Sequence, residues 1–174
     1  MKKLFIIAIA SVAFVATPAF ADSVTAVVNY AKIMHDSKAG TSVRTQIQAK
    51  QKSLQSDVEA KEKDLYAQDQ SLVKQKDTTD KAAFDKKVSD FRAKAADEQR
   101  EVQGKKVALD KSAGAALEEI QKNVLEITKQ IATEKKYNLV LSSTQVMYAD
   151  DSLDITDEVM KRLDAKLPTV AVKF

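Results

Sequence analysis

Asp150, Ser152 and Asp154 stand at alternate positions in "DDSLDITDE" (residues 150–158), the spacing of ligands 1, 3 and 5 in a calcium-binding loop. Position 6 is then Ile155, where the loop's sharp turn needs glycine, and position 12 is Lys161, where a bidentate glutamate belongs. The pattern fails as a calcium loop, and helix capping accounts for the acids. His35 is the single histidine, with no cysteine and no serine-nucleophile motif nearby, so it reads as a solvated or half-buried structural residue. Cysteine is absent throughout, which excludes thiol catalysis and disulfides and suits an oxidising compartment. There is no glycine-rich phosphate loop and no paired-carboxylate constellation. The expectation is a protein that is not an enzyme and carries no cofactor or metal.

The ends of the chain bound the setting. Met1-Lys2-Lys3, an apolar run over residues 4–16 and the closing Ala19-Phe20-Ala21 form a secretory signal peptide, cleaved after Ala21. The apolar core is too short for a comfortable membrane span, and no other stretch approaches that length. Removing residues 1–21 leaves 26 basic against 25 acidic side chains, so no strongly basic nucleic-acid binder is indicated. The remaining chain holds three glycines and one proline, a composition of extended helices over a thin core.

Four turn-forming residues, Asp77, Thr78, Thr79 and Asp80, interrupt a hundred residues of helical pattern. Before them, apolar residues recur at Val43, Ile47, Leu54, Val58, Leu65 and Leu72; after them, at Phe84, Val88, Phe91, Ala95, Val102, Leu109 and Ala113. The first set steps by 4 and 7 and the second by 3, 4 and 7, each one stripe of a helix. In an antiparallel helix pair, facing residues have numbers that add to a constant. Leu72 with Phe84, Leu65 with Phe91, Leu54 with Val102, Ile47 with Leu109 and Val43 with Ala113 all add to 156, centred on Thr78. The break is thus predicted as the tip of an αα-hairpin, with Asp80 or Thr79 capping the returning helix. Val58, facing Glu98, spoils the set, and Gln51, Lys61, Gln68, Gln75 and Lys105 leave the seam poorly apolar. Such a pair is marginal by itself, and Gly104 is the candidate flex point.

The two chain ends should meet in a small β body. Residues 24–29 alternate as a strand (Val24, Val27 and Val28 among them), followed by a helical turn through Ile33. Residues 137–141, with Leu139, Val140 and Leu141, read as a buried strand, and residues 145–148, with Val146 and Tyr148, as another. A last helix, capped by Asp154 or Thr156, carries Ile155, Val159, Met160 and Leu163. Three short strands leave open edges, which self-association through this body would cover. The tail "AKLPTVAVKF" ends in an apolar alternation and a phenylalanine, as outer-membrane barrels often do, but the helical remainder offers no barrel strands. It is expected as a loosely docked strand or a disordered end.

The fold class is therefore α+β and mostly α: a helical-hairpin arm over residues 37–117 with its tip at 77–80, a body from 22–36 and 118–164, and a tail over 165–174. This combination resembles the Skp family, also called OmpH-like periplasmic chaperones. The resemblance rests on the strand leading into "NYAKIMHDSKAG", on the charged hairpin and above all on "KKYNLVLSSTQVMYADDSLDITDEVMKRL". It implies a periplasmic homotrimer whose arms surround a cavity. It also implies an ATP-independent holdase keeping unfolded outer-membrane β-barrel proteins soluble, with no stable membrane insertion. A structural or adaptor coiled-coil protein of the envelope, binding one folded partner, is the alternative on the same fold. Well-known members are strongly basic near the arm tips. Residues 60–100 here carry ten basic and nine acidic side chains, so no site for acidic ligands is carried over.

Overall fold

The computed structural model describes residues 24–173; the signal-peptide expectation for residues 1–21 lies outside them. Strand β1 (Thr25–Val28) and strand β2 (Leu139–Ser142) pair in parallel, Thr25 against Leu139 through Val28 against Ser142. Parallel neighbours need a long crossover, because the chain must return to the same end before the second strand begins. Here the crossover is everything between the strands, including the whole arm.

Helix α1 (Tyr30–Asp36) starts where the Asn29 side chain accepts from the Lys32 amide at 2.9 Å. It stops at Ser37, which is fully buried and serves two helices at once. The Ser37 amide donates to Ile33 O, while its hydroxyl accepts from the Gly40 amide at 3.1 Å and caps helix α2 (Lys38–Gln75). That double use bends the chain sharply. It also pushes Gly40 against α1, where a β-carbon would sit 2.0 Å from Met34 O.

Helix α2 and helix α3 (Lys81–Lys135) form the antiparallel arm. At roughly 1.5 Å per residue, the 38 residues of α2 extend for about 57 Å. Helix α3 is longer, and its second half (Ala116, Ile120, Val124, Ile127, Ile131) lies buried in the body. These residues recur every three or four positions, so one face of α3 packs against helix α4 (Thr156–Lys166) and β2 and shares a core with Ala26 of β1 and Ile33 of α1. Lys136 then ends α3 in the left-handed conformation (φ 59°), with the Tyr137 amide returning to Ala132 O at 2.8 Å.

Two sequence expectations need correction. Residues 145–148 are not a strand: Ser143–Gln145 form a 3₁₀ turn and residues 146–150 follow without regular structure. A strand requires a hydrogen-bonding partner, and the free side of β1 is met instead by Asp154, which bridges Val27. Among the described residues the body therefore has two strands, with β2 left as an open edge. The tail is also neither loose nor disordered over its described part, since Val170 and Val172 are buried in the core cluster.

Candidate functional site: the arm, its root and the uncovered face of the body

At the tip, the Asp80 carboxylate accepts from the amides of Ala82 and Ala83 at 3.0 and 3.3 Å, capping α3. The amides of Thr78 and Thr79 both return to Gln75 O, at 3.2 and 3.1 Å, which closes the turn through Asp77. Lys87 reaches across to the Gln75 side chain at 2.5 Å.

The seam thins outward from the root. Val43, Leu54 and Leu109 are buried, whereas Ile47, Val58, Leu65, Leu72, Phe84, Phe91, Val102 and Ala113 are half-buried. Leu72 shares a groove with Lys87 and Phe91, Leu54 with Lys106 and Leu109, and Leu65 with Ala95, Glu98 and Val102. Ion pairs stitch the flanks: Lys61 to Glu101 at 2.6 Å, Lys94 to Asp64 at 2.6 Å and Lys105 to Asp57 at 3.6 Å. The paired residue numbers add to 158 or 162 rather than 156, a correction to the expected register. The displacement has a geometric cause. Helical side chains lean toward their own N-terminus, so in an antiparallel pair the groups that touch lie further along both helices than the backbone level they share.

Electrostatics in this region are set by those pairs. Lys61 and Lys105 hold the Glu101 carboxyl at about 2, mainly through their hydrogen bonds to it. The Lys94 ammonium likewise lowers Asp64. Glu98, on the seam beside Val58, keeps one carboxylate oxygen with no hydrogen-bond partner and only 17% of its side chain exposed. That is an unfavourable place for a charge, and it keeps the middle of the arm from closing as an apolar zipper.

Gly104 lies inside unbroken helix with nothing within 4 Å of where a β-carbon would stand. Outside the seam, Tyr66, Val73 and Val107 are 66%, 62% and 56% exposed. These apolar groups were missed in the sequence reading. Tyr66 and Val73 are one heptad apart but one position off the stripe, a second face that a search for a single stripe passes over.

The body carries a second uncovered surface. Val24, Leu117, Leu125, Leu139, Met147 and Tyr148 are all exposed. Leu125 also lines an apolar hollow of about 370 Å³, together with Val28, Tyr30, Val124, Ala132 and Val140 among others. Of the other residues expected to associate, Val27 is buried under its own chain, while Leu141 and Val146 are half-buried. The body is also tied by charge. Arg162 grips Glu134 through two bonds at 2.8 and 2.6 Å and also Glu158 at 2.7 Å. This raises the guanidinium pKa and lowers the Glu134 carboxyl, while Glu158 is lowered by Lys135 first and by Arg162 after it.

The residues singled out for possible catalysis or metal binding are engaged elsewhere. His35 is exposed beside Asp36, at 2.5 Å. Asp150 accepts from the Ser152 amide at 2.9 Å, capping a 3₁₀ turn, and Asp154 accepts from the Thr156 amide at 2.7 Å just ahead of α4, so both carboxylates are bound to main-chain amides. Among the described residues, no group of three or more His, Cys, Asp or Glu is placed to hold a metal ion, and no helix is long and apolar enough to cross a membrane.

Comparison with known families and solved structures points one way. The family described as outer membrane protein (OmpH-like) matches residues 24–163. A crystal structure from Caulobacter crescentus CB15, named by inference as an OmpH-like outer membrane chaperone, superposes with a TM-score of 0.78. It is 21% identical, over 84% of this chain and 87% of that one. No curated protein matches the sequence.

Proposed function

The chain belongs to the OmpH-like family of outer membrane proteins, and from that premise we propose that it is an ATP-independent holdase of the periplasm. It captures unfolded outer-membrane β-barrel proteins and keeps them from aggregating. The observation that carries this reading is the arm itself: two long helices joined by a half-buried seam, with apolar groups on a face the partner helix does not cover. A single arm offers only weak contacts. Several arms in one assembly would sum them, gaining strength by multivalency without requiring any client sequence.

Assembly belongs to the same proposal. The exposed apolar face of the body and the open edge of β2 are surfaces that a second and third copy would cover, placing the arms around a shared cavity. Weak, numerous contacts also allow release with no nucleotide, so the holdase needs no catalytic residue and no cofactor. Gly104 would let each arm bend around clients of different size.

The test is dilution of a urea-unfolded β-barrel protein into buffer with the signal-free chain and no ATP. Suppressed light scattering at a fixed ratio of three chains to one client is expected. Aggregation at the rate of the chain-free control rejects the proposal. Capture of only one folded envelope protein would instead favour an adaptor.

A further inference from the structure

Pro168 cannot continue α4, and the chain beyond it turns back onto the root of the arm. There Val170 and Val172 are buried at 3% and 4% exposure, while Ala171 and Lys173 face solvent. Burial with a period of two is that of an extended strand. The neighbour supplying its hydrogen bonds is a side chain. Gln46 Nε2 donates to Val170 O at 2.7 Å, and Gln46 Oε1 accepts from the Val172 amide at 3.1 Å. The Ser42 hydroxyl, 3.0 Å from Nε2, helps fix the amide's orientation. From the facing helix, the Ser112 hydroxyl donates to Lys173 O.

The contacts from Gln46 and Ser112 to the tail all go to its main chain. The only side-chain requirement is two apolar groups at positions i and i+2. The root therefore selects an extended, alternately apolar segment whatever its sequence, as strand-addition sites do. Strands of membrane β-barrels alternate apolar and polar residues in this way. We propose that the groove between α2 and α3 at the arm root, framed by Gln46 and Ser112, is a binding site for an extended strand segment of an unfolded β-barrel client, filled in cis by residues 170–173 until a client arrives. The identity of the occupant rests on the holdase reading; the groove and its selectivity rest on the tail.

Because the tail is tethered, it competes at a high effective concentration. The probe is a fluorescent peptide of residues 168–174, and the protein is the full signal-free chain carrying Val170→Asp and Val172→Asp to release its own tail. This variant should bind the peptide about tenfold or more tightly than the unsubstituted chain, consistent with loss of a tethered competitor. Adding Gln46→Ala should remove the gain, and an unfolded barrel protein in excess should displace the peptide. No binding by a variant whose helical circular dichroism is intact, or binding indifferent to Gln46→Ala or to the barrel protein, overturns the proposal. Hydrogen exchange gives a test without substitutions. The Val172 amide should be protected in the free chain and lose protection when client is bound; retained protection with client bound overturns the proposal too. Aggregation suppressed normally while the peptide arms fail would leave the holdase standing and remove only the groove.

Discussion

The Asn29 amide donates to the Thr156 hydroxyl at 2.8 Å, joining residues 127 positions apart at the point where β1 gives way to α1 and α4 begins. Thr156 is 1% exposed and its oxygen takes this bond, while α4 begins after Ile155 with no side-chain cap and the Thr156 amide donates to Asp154.

Thr156→Val should leave the Asn29 amide without an acceptor in a poorly solvated position. A loss of about 1–3 kcal/mol is expected from one such orphaned donor. Thr156→Ser, which keeps the hydroxyl, should lose clearly less. Urea unfolding of the two variants side by side measures the difference; equal losses would assign the effect to the methyl group.

Gly40→Ala should be the most damaging small substitution in the chain. Its β-carbon would fall 2.0 Å from the Met34 carbonyl oxygen, a main-chain atom that cannot move without unseating α1 from α2. About 3 kcal/mol or more is expected for overpacking against backbone. A thermal midpoint unchanged from the parent chain would show that the joint opens at no cost.

Gly104→Ala should act in the opposite direction. The added methyl meets nothing, so the helix-propensity gain of about 1 kcal/mol is kept. If the arm bends here in use, amide exchange around residue 104 should slow and capture of large clients should weaken. Slower exchange with capture untouched would rule out the flex point.

Acid should loosen the arm in a defined window. The Glu101 carboxyl is held at about 2 in the folded arm, below the roughly 4.3 of an unfolded glutamate. The folded state therefore binds fewer protons. Its contribution is complete above pH about 4.5 and is lost as pH falls toward about 2. Glu134 and Glu158, lowered by Arg162 and Lys135, act with the same sign in the body. Thermal midpoints read by circular dichroism from pH 5 to 2 should fall, and Glu101→Gln should flatten the part belonging to the arm.

The hairpin was legible in the sequence because it is written in local terms. Two apolar stripes of helical period and four capping residues between them define two helices and a reversal, and Asp80 caps in place. Its register was legible only to within about a turn, because the lean of the side chains shifts which residues touch. The strands at residues 25–28 and 139–142 were visible as apolar runs. Residues 145–148 carry the same composition yet form no strand, since strand formation depends on a partner that composition does not name.

What the sequence determined by itself is the hairpin, its tip and the meeting of the chain ends, all consequences of periodicity and helical rise. What only the tertiary structure decided is where polar groups find distant partners. Nothing in the sequence sets Gln46 apart; the tertiary structure brings Val170 and Val172 beside it. Thr156 looked like a cap until the Asn29 amide arrived. Such assignments depend on distances between segments more than a hundred residues apart, and no local pattern encodes a distance.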